Sequence, residues 1–137
     1  MGRRTMRITA DTNLFLRDAL QDDPGQTRVA RQALDEAELV AVPVSVLCEF
    51  VWVLRRGYNK KNSEVAEAIR LILNSANVAM DRSAVEAGLA TLESGGDFAD
   101  GAIDYEGRCL GAEEFVSFDK QAVSLLKSQG TRARLLS

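Results

Sequence analysis

Five short apolar runs of strand length alternate with helix-length segments along this 137-residue chain, and that alternation limits the available folds more than any single residue does. The runs are Met6–Ala10, Leu39–Pro43, Asn77–Met80, Glu114–Phe118 and Arg132–Leu136. Helical signals fill the gaps between them. The first is DTNLFLRDALQ, apolar at Leu14, Phe15 and Leu20, and the second is Thr27–Ala37, beyond the Asp22-Asp23-Pro24-Gly25 turn. Val44–Arg56 reads as a helix buried on nearly all sides and ended by Gly57, followed by an amphipathic helix over Ser63–Asn74. Further on, Ser83–Leu92 carries a capping box in Ser83 and Glu86, Asp97–Leu110 follows the Gly95-Gly96 break, and Gly130 ends Lys120–Gln129.

Strands separated by helices pair in parallel, because a parallel neighbour needs a crossover connection, and such sheets are covered on both faces. The expected fold is therefore α/β: a three-layer α/β/α sandwich around a mostly parallel central sheet of about five strands, forming one domain over residues 1–137. A chain of this length buries roughly two thirds of its unfolded surface, enough for a core without staples.

The longest apolar run, Val40–Leu54, is broken by Pro43, Ser45 and Glu49 and falls short of the ~18 residues a membrane span needs. Met1–Thr5 is too short and polar for a secretory signal, and Gly2–Thr5 reads as an added remnant or an upstream start. The expectation is a cytoplasmic protein with no membrane partner, whose Cys48 and Cys109 are reduced core residues. A net charge of −3 gives no overall basic field for nucleic acid, although acids neutralised by a divalent cation would leave a more positive surface than the count suggests.

The chain has no histidine, so chemistry at neutral pH falls to carboxylates, to metal ions they hold, or to the two cysteines. Asp11 and Asp119 directly follow predicted strands, on the edge where parallel sheets bind ligands. Asp81 has the same local setting and is read as a helix cap. Glu49 lies among Val44, Val46, Leu47, Phe50, Val51, Val53 and Leu54, where a glutamate is costly unless paired or coordinating. Its other reading is a thin solvated stripe shared with Ser45 and Arg56. Asp97, Asp100 and Asp104 fall at i, i+3 and i+7, on one helical face. Either Asp97 caps the helix with Asp100 as its capping-box partner, or a hard divalent cation such as Mg²⁺ or Mn²⁺ gathers the cluster.

Taken together, these residues resemble a PIN-domain protein, specifically a VapC-type toxin of a toxin–antitoxin pair, from about Met6 to Leu135. The landmarks run in order: an apolar strand then Asp11-Thr12-Asn13, the turn at Asp22–Pro24, Val42-Pro43 leading to Glu49 in LCEFVWVLRRGY, Asp97-Phe98-Ala99-Asp100 with Ile103, and Phe118-Asp119. Each motif is unremarkable alone; their joint order and spacing are specific.

The resemblance implies a metal-dependent endoribonuclease with a catalytic quartet Asp11, Glu49, Asp100 and Asp119. Asp97 would be an auxiliary metal ligand, and Asn13 and Ser117 would hold the ligands in place. It further implies Mg²⁺ or Mn²⁺ as cofactor, RNA as substrate, a cognate antitoxin and a homodimer. Asp104-Tyr105 departs from the small residues usual at that point in similar proteins, and Asp104 is read as solvated in preference to an additional ligand partner. Arg55, Arg56, Lys60 and Lys61, just beyond the Glu49 helix, either grip an RNA backbone or are ordinary surface charge. Two rival readings stand beside this one. A receiver-like phosphoacceptor domain fits less well, since the first strand offers only Asp11 and the last meets Arg134-Leu135-Leu136. The other is a catalytically inactive PIN-like RNA-binding module.

Overall fold

A computed structural model describes residues 6–137, so the reading of Gly2–Thr5 lies outside the described residues. Contacts cluster the chain into two compact units, the first ending at Asp81 and the second running from Arg82 to Ser137.

The first unit is built on a parallel three-stranded sheet in the order β1-β2-β3, with β1 at Arg7–Thr9, β2 at Leu39–Ala41 and β3 at Val78–Ala79. Register pairs Arg7 with Leu39 and Thr9 with Ala41, then Val40 with Val78. Single hydrogen bonds extend the ladders beyond the strands, from Ala10 N–H to Ala41 C=O (3.1 Å) and from Val42 N–H to Ala79 C=O (2.9 Å). Each crossover is helical: α1 (Thr12–Leu20) and α2 (Pro24–Glu36) join β1 to β2, and α3 (Val44–Trp52) and α4 (Asn62–Leu73) join β2 to β3. The helices close on the sheet through Leu47, Phe50, Val65 and Ile69, all fully buried with Ala10 and Val40. Phe15 meets Phe50 edge to face, ring centroids 6.4 Å apart.

The second unit contains α5 (Arg82–Glu93), α6 (Phe98–Cys109), β4 (Phe115–Ser117), α7 (Lys120–Ser128) and β5 (Ala133–Leu135). β4 and β5 pair in parallel across α7, whose Val123 and Leu126 pack with Ala133 and Phe115. α5 and α6 approach closely because two glycines face the neighbouring helix. A Cβ on Gly88 would stand 2.6 Å from the Phe98 ring, and one on Gly101 would stand 2.5 Å from the Ala87 carbonyl oxygen.

The α/β character and parallel pairing match expectation, and all five strands are present. They form a three-stranded and a two-stranded sheet instead of one five-stranded sheet. Strands of two or three residues offer few backbone groups for a single continuous ladder.

Three local boundaries also differ. α2 begins at Pro24 rather than Thr27, because Asp23 caps it by accepting from Gln26 N–H (3.1 Å) and Pro24 needs no partner at the first helical position. α5 begins at Arg82, so Ser83 lies inside its first turn and Asp81 directly precedes it. The long helix after Pro43 passes from α to a π-helical turn over Val53–Gly57. No helix among the described residues is long and apolar enough to cross a membrane.

Candidate active site

In the first unit, Asp11 sits two residues beyond β1 and caps α1, one carboxylate oxygen accepting from the Thr12 N–H at 2.8 Å. The Thr12 hydroxyl, buried at the first turn, donates to Glu49 Oε1 on α3. Two acids separated by 38 residues in sequence, Asp11 and Glu49, are thereby tied to the same threonine.

Glu49 itself is exposed, which corrects the expectation of a helix buried on nearly all sides. The apolar face of α3 is Leu47, Phe50 and Val51, whereas Ser45, Glu49, Trp52 and Arg56 follow one another down an exposed stripe. The solvated-stripe reading is therefore the correct one for the helix. Glu49 still has a specific partner in Thr12, a residue that sequence reasoning passed over in favour of its neighbour Asn13. Asn13 is exposed.

In the second unit, three acids gather. Asp97 caps α6, its carboxylate accepting from Ala99 N–H at 3.3 Å. Asp119 caps α7 just past β4, accepting from Ala122 N–H at 3.1 Å. The Asp119 N–H in turn donates to the Ser117 hydroxyl (2.9 Å), so Ser117 fixes the backbone that presents this acid. Asp100, half-buried in the first turn of α6, responds to its surroundings. Burial, then the charges of Asp97 and Asp119, push its carboxyl up to about 6.

Asp104 does not belong to this group. It is buried (6% exposed), not solvated, and bridges Arg108 one turn on at 3.1 Å. An aspartate facing the core of α6 is tolerated because that i,i+4 arginine neutralises it. Cys109, at the end of α6, is exposed, and Cys48 is partly buried; neither is in a disulfide, and Cys109 is not a core residue. Arg55 and Arg56 are exposed on the π turn. Lys61 is exposed beside a partly buried Lys60.

The donor chemistry suits a hard divalent cation: every candidate is a carboxylate, and Asp100 carries the uncompensated repulsion a cation would relieve. Capping does not use up these ligands, since an ionised carboxylate has about four acceptor sites and a cap takes one. Among the described residues as placed, no group of three or more acidic, histidine or cysteine side chains converges on a metal position.

No curated protein matches the chain. The PIN domain family matches residues 8–103, which is more than half of the chain. Asp11, Glu49, Asp97 and Asp100 fall inside that match, and Ser117 and Asp119 lie beyond it. The match displaces the receiver-like alternative, and it places the parallel strands and acid-capped helices described above in a single context: the chain belongs to the PIN domain family and has its nuclease-like α/β fold.

Proposed function

We propose that the protein is a metal-dependent endoribonuclease in which Asp11, Glu49, Asp100 and Asp119 form the catalytic quartet. Asp97 assists them, and the whole acts in the cytoplasm as the toxin of a toxin–antitoxin pair. The observation that carries this reading is the Asp100 carboxyl, pushed up to about 6 by burial and by two neighbouring acids. Acids are rarely crowded at a cost to themselves unless a cation or a proton resolves the repulsion. Membership of the PIN domain family supports a nuclease.

In this reading Asp11, Asp100 and Asp119 hold Mg²⁺ or Mn²⁺, and Glu49 completes the set. The bound cation supplies positive charge for a phosphodiester and acidifies a water molecule. The chain's own residues prepare that chemistry. Thr12 fixes one oxygen of Glu49, Ser117 holds the backbone at Asp119, and the capping hydrogen bonds at the helix N-termini aim Asp11 and Asp119. The partners of such a toxin would be its RNA substrate, a cognate antitoxin and a second copy of itself.

The test is cleavage of an oligoribonucleotide by the full chain in Mg²⁺ or Mn²⁺ against EDTA. Cleavage that needs the cation and disappears in Asp119→Asn and Asp11→Asn is expected. Full activity in either variant overturns the quartet, and metal binding without any hydrolysis of RNA points to an inactive binding module. Expression with and without the product of the neighbouring gene, followed by sequencing of RNA ends, tests the toxin role.

A further inference from the structure

The segment that follows Glu49 carries features the acids do not use. Trp52, the single tryptophan of the chain, is 61% exposed on the stripe it shares with Ser45, Glu49 and Arg56. It stands at i+3 from Glu49, on the same helical face. The π turn then presents Arg55 and Arg56 to solvent, and Tyr58, at its end, is 42% exposed. Asn59 takes a left-handed conformation (φ 53°), turning the chain toward Lys60 and Lys61. From Phe50 to Ser63 there are four cations and no acid, in a chain whose net charge is −3. None of these four cations joins an ion pair among the described residues.

Exposed rings interleaved with unpaired cations suit a single nucleic acid strand: bases stack on the rings, phosphates meet the cations, and Arg beside an aromatic adds to both. A second copy of the chain suits the surface less well. The cores of protein interfaces are depleted in charge, and a two-fold contact here would set like charges against each other. π turns recur at functional sites because the widened turn re-aims the side chains it carries.

We propose that Trp52 and Tyr58, flanked by Arg55, Arg56, Lys60 and Lys61, form a stacking platform for single-stranded RNA, with Trp52 taking a base one helical turn from Glu49. This rests on the nuclease reading of the same site and adds to it the residues that hold the substrate's bases and phosphates.

Because Trp52 is the only tryptophan, its emission reports this position alone. The Asp119→Asn full chain, with Mg²⁺, is titrated with a single-stranded oligoribonucleotide of about a dozen nucleotides and with the same sequence as a duplex. Saturable quenching by the single strand and not by the duplex is expected. In the same background, with binding read by anisotropy of a labelled oligoribonucleotide, Trp52→Ala should weaken single-strand binding about 5- to 150-fold, Trp52→Phe should restore most of it, and Arg55→Ala with Arg56→Ala should flatten the salt dependence by about 1.4 in log–log slope. Unchanged emission on saturation, or undiminished binding by Trp52→Ala, overturns the platform. So does a shift from dimer to monomer in Trp52→Ala at unchanged RNA affinity, which assigns the ring to a second copy. Wild-type protein with Mn²⁺ and the same oligonucleotide separates the two readings: quenching without cleavage sinks the nuclease alone, and cleavage without quenching sinks the platform alone.

Discussion

Replacing Asp100 by asparagine offers the sharpest test of the acid cluster, because it predicts a gain in stability from deleting a candidate catalytic group. Burial and the charges of Asp97 and Asp119 raise the Asp100 carboxyl from 3.8 to about 6. A shift of that size corresponds to about 3 kcal/mol of preference for the protonated form. Asp100 is only half-buried, so solvent screening reduces the usable figure to about 1 kcal/mol. The sign follows from proton binding. The folded state holds this proton more tightly than the unfolded chain, so ionising Asp100 costs folding free energy. That cost is absent below about pH 4, grows as pH rises to about 6, and is fully present above it.

Asp100→Asn should therefore match wild type near pH 4 and exceed it by about 1 kcal/mol at pH 7.5 in EDTA, or about 3 °C in melting temperature. Urea denaturation at the two pH values measures the difference directly. Added Mg²⁺ should then stabilise wild type more than the variant, reversing part of the gap. A variant that is less stable than wild type at pH 7.5 without metal, or a difference that does not change with pH, refutes the claim that these acids repel one another in the folded protein.

Other consequences are equally open to measurement. Gly101→Ala should destabilise the fold by about 1–3 kcal/mol, because its Cβ meets the Ala87 carbonyl oxygen at 2.5 Å and cannot relax by a rotamer change. Gly107→Ala on the same helix, with nothing nearer than 4.0 Å, should instead stabilise by about 0.5–1 kcal/mol; paired thermal melts distinguish the two. Thr12→Val keeps the buried shape but removes the donor to Glu49, so RNA cleavage should fall at least tenfold while stability changes by no more than about 1.5 kcal/mol. Phe50→Ala, which empties a fully buried site packed edge to face with Phe15, should cost about 3–5 kcal/mol in chemical denaturation.

Much of this fold is legible in the sequence because glycine, proline and the apolar runs mark the element ends: Pro24, Gly57, Gly95-Gly96 and Gly130 all lie at breaks. The π turn is not legible. Val53-Leu54-Arg55-Arg56 continues the helical pattern without interruption, and an inserted residue changes hydrogen bonding without changing composition. Counting apolar neighbours misjudged Glu49, since three of those counted, Val44, Val46 and Val53, are themselves only partly buried. Thr12 was invisible as a partner because the acid it serves is 37 residues away, and only tertiary packing brings them together. Asp104 is a different kind of miss, for Arg108 at i+4 was in plain view and explains how the aspartate can be buried.

Asp11, Asp97 and Asp119 each cap a helix with the carboxylate that the nuclease reading assigns to metal. Asparagine caps a helix about as well as aspartate but is a poor ligand for a hard cation. A single base change in an aspartate codon yields asparagine, so any one of these positions can lose its chemistry while the helix it starts stays intact. Descent from such a chain therefore has an easy path to silent copies that fold, bind and compete without cutting, and fold conservation in itself says little about whether a given descendant is still an enzyme.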